Sequence, residues 1–188
     1  MNITLFGNCQ TKALSWYIQQ LDPSFNVKWI CIEIFLPNWG PEPTFKGKPI
    51  NVITDSQKAK KALESSDYVI FQHIHHKKSN YRLDTIEKHV KNSKLISISS
   101  FHYDPDTGQG LPGMINRAKK NNIDIPVHKI IEKHGSKIQI IRGQSTGPTH
   151  PNVFYFLELV REICIITGWN YYPDEQYKQY LKEGYPFG

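Results

Sequence analysis

The segment Asn26 to Leu36 constrains the chain most, because both of its alternating faces are apolar: Val27, Trp29, Cys31 and Phe35 on one, Ile30, Ile32 and Ile34 on the other. A strand of this kind has to be covered on both sides, which a parallel sheet with helices on each face provides. What precedes it fits. A short apolar, partly β-branched run from Asn2 to Phe6 leads through Gly7-Asn8-Cys9-Gln10 into Leu14, Tyr17, Ile18 and Leu21, spaced i, i+3, i+4 and i+7. That spacing predicts an amphipathic helix over Thr11 to Gln20, ended by Asp22-Pro23. Strand, tight turn, helix and buried strand together open an α/β domain.

The alternation continues. Pro37 to Pro49, with four prolines and two glycines, reads as a surface loop long enough to bind something. A short run at Ile50 to Ile53 precedes a helix over Ser56 to Ser65. Tyr68 to Phe71 is a third buried strand, Leu83, Ile86 and Val90 mark a helix, and Leu95 to Ile98 form a further strand. Two helical faces follow, Leu111, Met114, Ile115 and Ala118, then Val127, Ile130, Ile131 and His134. Lys137 to Ile141 reads as a last strand. After a loop from Arg142 to Thr149, a long helix carries Val153, Phe156, Leu157, Val160, Ile163 and Cys164 on one face. His150 is expected at its N-cap and Pro151 at its first helical position, where a missing N–H costs nothing. The expectation is one α/β domain over residues 1–188, its tail from 169 peripheral.

Composition narrows the classes. With 188 residues and 39% hydrophobic content, the chain should bury about 70% of its unfolded surface without a disulfide framework. No apolar stretch reaches the roughly 18 to 20 residues that cross a bilayer, and Met1 to Phe6 lacks the basic start of a signal peptide. Cys9, Cys31 and Cys164, odd in number and unrelated in spacing, suit a reduced, cytoplasmic protein. The net charge of +6 favours an anionic partner. GxxxxGK[ST] does not occur, so the usual phosphate-loop reading finds no support. Nor does an RRM, KH or helix-turn-helix signature point to nucleic acid.

Cys9 lies where the first strand passes into the first helix. Orphan N–H groups and the helix dipole favour an anion there, and a thiol so placed ionises more easily, as a nucleophile must. The competing reading is a small buried hydrophobe, the role expected of Cys31 and Cys164. Gly7 permits a tight turn and close substrate approach, while Asn8 and Gln10 can donate to a developing oxyanion. Gln72, closing the third strand, would project at the same sheet edge, as would Ser99, Ser100 and His102 after the next. His150 is the candidate base, or else a plain helix-start residue. His73, His75 and His76 have no further ligand at a recognisable spacing, so no metal site is expected. With Lys77 and Lys78 they read as a basic rim for phosphates or a solvated loop.

Gly7-Asn8-Cys9-Gln10 after the first strand, the Asp67 to Gln72 strand, the loop from Phe101 to Asp106 and His150-Pro151 before a long helix together resemble the WcbI-type polysaccharide biosynthesis proteins, relatives of the SGNH (GDSL-like) hydrolases. The resemblance spans roughly residues 1 to 170, and Gly-Asn-Cys-Gln is its most specific part. It implies a flavodoxin-like, SGNH-like three-layer α/β sandwich with a mostly parallel sheet. It also implies coenzyme A binding and acyl transfer, as acetyl, to a sugar hydroxyl in capsule or surface polysaccharide assembly. Cys9 stands where the SGNH pattern has serine, and Gly147 where it has an aspartate three residues before the histidine. The implied machinery is therefore a Cys9–His150 dyad with Asn8, Gln10 and Gln72 at the oxyanion. Coenzyme A would be met by Gly7, His102, Lys77, Lys78, Arg142 and Arg161. An esterase or thioesterase with water as acceptor, and a non-catalytic module binding CoA, nucleotide or nucleic acid, are the alternatives.

Overall fold

The structure is a computed structural model that describes residues 1–31, 51–73, 86–102, 110–141 and 150–184. These residues group into two compact units, Met1–Ile98 and the chain from Ser99 onward, where the sequence suggests one domain. Among them no helix is long and apolar enough to cross a membrane.

The first unit is the α/β fold that the buried strand requires. It holds β1 (Asn2–Gly7), α1 (Cys9–Gln19), β2 (Asn26–Cys31), β3 (Asn51–Ile53), α2 (Ser56–Ser65), β4 (Tyr68–His73) and β5 (Lys94–Ser99), whose last residue opens the second unit. The strands form one parallel sheet in the order β3-β2-β1-β4-β5. With the three-residue edge strand β3 set aside, this is the flavodoxin-like order. β1 is central, its Leu5 level with Trp29 on one side and Ile70 on the other. Alternation along the strands sorts the side chains into layers. Phe6, Ile30, Val69 and Phe71 face Ala59, Ala62 and Leu63 of α2, which Asp55 caps through a 2.8 Å bond from the Lys58 N–H to its carboxylate. The opposite face carries α1, to which Trp29 is tied by its indole N–H, 3.0 Å from Thr11 Oγ1.

α1 departs from the amphipathic expectation, since every residue from Gln10 to Ile18 is buried, Lys12 included. A helix buried all round is covered on its outer face as well. The described part of the long strand ends at Cys31; residues 32–50, with the expected proline-rich loop, lie outside the described residues.

The second unit contains α3 (Leu111–Asn121), α4 (Val127–His134), β6 (Ile140–Ile141), β7 (His150–Pro151), α5 (Val153–Thr167) and α6 (Asp174–Glu183). The buried Ser99 hydroxyl accepts the first N–H of α4, from Val127, at 2.8 Å. The start of α5 corrects the sequence expectation. His150 and Pro151 pair antiparallel with Ile141 and Ile140, and the N-cap is Asn152, whose side-chain carbonyl accepts from Tyr155 N–H at 3.3 Å. Its own N–H donates to Gln139 O at 2.9 Å, which holds the preceding residues extended rather than helical. The predicted strand over Lys137 to Ile141 shrinks to two residues behind a 3-10 turn at Gly135–Lys137.

The tail is a structural part of this unit. α6 docks through Tyr180, and Tyr172 before it is buried. Glu158 of α5, 3% exposed, meets His134 Nε2 at 3.0 Å and Arg161 at 3.7 Å, and accepts from the Tyr177 hydroxyl at 3.5 Å. Arg161 also lies over the rings of Tyr171 and Tyr177, at 4.8 and 5.6 Å. A buried carboxylate is tolerated when its charge and lone pairs are met this way.

The Asn152 cap has a direct test. Asn152→Ala should lower the unfolding free energy by about 1 kcal/mol, read as a shift in urea midpoint, and Asn152→Asp should restore most of it. A neutral Asn152→Ala would return the cap to His150.

Candidate active site

In an open α/β sheet, ligands bind at the carboxyl ends of the strands where the strand order reverses direction. Here that point lies between β1 and β4, because the chain proceeds from β1 to β2 on one side and later returns to β4 on the other. Gly7, Asn8, Cys9 and Gln10 leave β1 at this crevice, and Gln72 and His73 end β4 beside it. Five of the expected residues, Gly7, Asn8, Cys9, Gln10 and Gln72, are thus brought together.

Asn8 is the N-cap of α1, its side-chain carbonyl accepting from Gln10 N–H at 2.9 Å. Cys9 is the first helical residue and half-buried, whereas Cys31 and Cys164 are buried. Burial pushes the Cys164 thiol up to about 12. Gln72 is 1% exposed, and its side-chain carbonyl accepts from Asn8 N–H at 3.0 Å while its Nε2 donates to Gln10 Oε1 at 2.8 Å. Thr11 supports the turn from below, donating to Asn8 O at 2.7 Å while accepting from Trp29.

This geometry changes two expectations. Gly7 is glycine because of its neighbours in the protein: a Cβ there would lie 2.6 Å from Thr11 Oγ1 and 2.7 Å from both Cβ and Oε1 of Gln72. The backbone N–H groups of Asn8 and Gln10 are consumed within the turn, so any donation by these two residues to an oxyanion comes from their side chains.

The remaining candidates fall in the second unit or outside the described residues. Half-buried His150 lies on β7, and burial holds its pKa below the ordinary 6.5, so the ring is neutral and basic at neutral pH. His102 Nε2 is 3.1 Å from Ser100 Oγ. Although the residue keeps an exposed edge, desolvation of the ring and then the Arg117 charge hold its pKa down. Arg161 has its guanidinium engaged with Glu158, Tyr171 and Tyr177, which accounts for that cation without a phosphate. Lys77, Lys78, Arg142, His75 and His76 lie outside the described residues. Among the described residues no cluster of His, Cys, Asp and Glu could hold a metal ion.

Sequence reading missed Thr11 and Trp29. Thr11, the polar residue directly after Gln10, carried a signal in its spacing of three from Asn8, the interval over which a hydroxyl reaches a backbone carbonyl.

Fold and site together define a parallel α/β protein with a cysteine at the topological switch point. In comparisons with known proteins, the chain matches no protein-family model, no curated protein and no solved structure.

Gly7→Ala should cost about 1 to 3 kcal/mol as an overpacked substitution, measured by chemical denaturation. A Gly7→Ala protein of unchanged stability would show that Thr11 and Gln72 do not crowd this position.

Proposed function

We propose that the protein is an acyl-CoA-dependent O-acyltransferase of the WcbI type, acetylating a sugar hydroxyl of a capsule or surface polysaccharide. The observation that carries this reading is the position of Cys9: the one cysteine that is not buried is the first residue of a helix at the switch point of a parallel sheet. In the first step the Cys9 thiolate adds to the thioester carbonyl, whose electron pair moves to oxygen and returns as CoA thiolate departs. In the second, the sugar hydroxyl attacks the S-acyl cysteine, gives its proton to the base and frees Cys9. His150 is assigned as that base, and the depression of its pKa by burial keeps it able to accept a proton at neutral pH. A Cys-His dyad needs no carboxylate as strictly as a serine does, since a thiol ionises far more readily.

Coenzyme A enters as substrate. With Arg161 engaged internally, the phosphates would be met by Lys77, Lys78 and Arg142, with His102 as a further contact, and by the positive field of the chain as a whole.

Two measurements check the reading. Protein incubated with acetyl-CoA, digested and analysed by mass spectrometry should carry acetyl on Cys9 and on neither Cys31 nor Cys164. Acyl transfer to an acceptor should fall on the acid side with a midpoint below the ordinary histidine value of about 6.5, and lose that limb with most of its rate in His150→Gln. Acetyl-CoA turnover that ignores sugars and releases acetate would make the protein a hydrolase. CoA binding without S-acetylation would make it a binding module.

A further inference from the structure

In the second unit, α4 and α5 enclose a groove of about 300 Å³ that none of the chemistry above uses. Its apolar lining comes from Ile125 and Pro126 before α4, Ile130 on it and Ile166 on α5, with Ile125 and Ile130 only 3% exposed. The charged side chains that line it are all exposed or partly so: Lys129 and Lys133, one turn apart on α4, Glu162 on α5, and Asp124 before α4. An apolar floor inside a polar rim is the anatomy of a protein contact. A small-molecule site instead sets a few polar groups deep among its apolar walls.

The rim also says which kind of protein. Two lysines and two carboxylates carry no net charge between them, so the groove gives no preference to a polyanion or a polycation and suits a surface as mixed as itself. Lys133 Nζ lies 4.0 Å from Glu162 Oε1 in solvent, an ion pair of little strength that a better partner can replace. Lys129 makes no ion pair among the described residues.

Beside the groove stands Ile165, 69% exposed and the most exposed large apolar side chain among the described residues. A single exposed isoleucine needs no explanation on its own. This one follows Glu162 by three residues and so neighbours it on the helix surface, at the edge of a groove floored by isoleucines. An isologous contact requires a surface complementary to itself, with knob and hole, cation and anion, on one face. This face has all four.

We propose that the α4–α5 face is a two-fold interface between copies of this chain, with Ile165 of each copy seated in the groove of the other and Lys129 of each paired with Glu162 of the other. The contact is small beside the roughly 1,200 Å² of a standard interface, so the dimer is a weak and reversible one.

Sedimentation equilibrium of the wild-type protein, from micromolar to millimolar concentration, tests this. The mass should rise from one chain toward two. Ile165→Lys, a change at an exposed position that should leave the urea midpoint unmoved, should raise the dissociation constant about tenfold or more. Lys129→Glu and Glu162→Lys should each weaken the dimer, because each sets like charges together across the two-fold axis. Both exchanges in one chain should recover most of that loss, since opposite charges meet again. A wild-type mass that stays at one chain throughout would overturn the proposal, as would association that Ile165→Lys leaves intact, or a double exchange no tighter than either single one. Masses growing beyond two chains would also overturn it, because a two-fold contact closes on itself.

Discussion

The arrangement at the switch point depends on one buried amide. Gln72 reaches from the end of β4 to the turn after β1 and satisfies a backbone N–H that would otherwise be orphaned, while binding the side chain of the next residue but one. A buried polar group left without its partner costs about 1 to 3 kcal/mol, so the same bonds that hold the turn also hold β1 and α1 in register with β4. Gly7 belongs to this interaction: its missing Cβ is the space that Gln72 and Thr11 occupy. The Cys9 sulfur is placed by a scaffold of strands and not by a loop, which is the condition for a reacting atom to be held within fractions of an ångström.

The second unit follows a different logic. Its helices are drawn together by aromatic and aliphatic contacts around a buried carboxylate, that of Glu158, which touches groups from α4, from its own helix and from α6. Removing Glu158 would leave the Arg161 cation among tyrosines with its charge unmet. Polar α6, which buries little apolar surface beyond Tyr180, is fastened to α5 through Tyr177 and Glu158, with Arg161 stacked between Tyr171 and Tyr177.

Much of the fold was legible because its signals are local. The two apolar faces of β2 called for a double-sided sheet, and the i, i+3, i+4, i+7 spacings located α1, α3, α4 and α5 to within a few residues. Three features were not legible for physical reasons. The preference of proline for the first helical turn drew the start of α5 to His150, whereas a pairing with Ile140–Ile141 and a side chain at Asn152 set it two residues later. The tail helix α6 escaped because its buried contacts are tyrosines, whose hydroxyls suit water and interior alike. Arg161 read as a free cation because its partners are Glu158 on the preceding turn and two tyrosines beyond the helix, whose rings only the fold brings to it. At the site itself, the residue types and their sheet edge were readable from Gly7 to Gln72, while the direction of the amide bonds and the crowding at Gly7 exist only in three dimensions.

The central claim is that the fold singles out one sulfur for chemistry. Its most direct test is the rate of iodoacetamide modification at each cysteine of the folded wild-type protein, followed by peptide mass spectrometry across a range of pH. The account predicts that Cys9 is modified well ahead of Cys31 and Cys164, which react only on unfolding because both are buried. Modification of Cys9 no faster than of the two buried cysteines would contradict it.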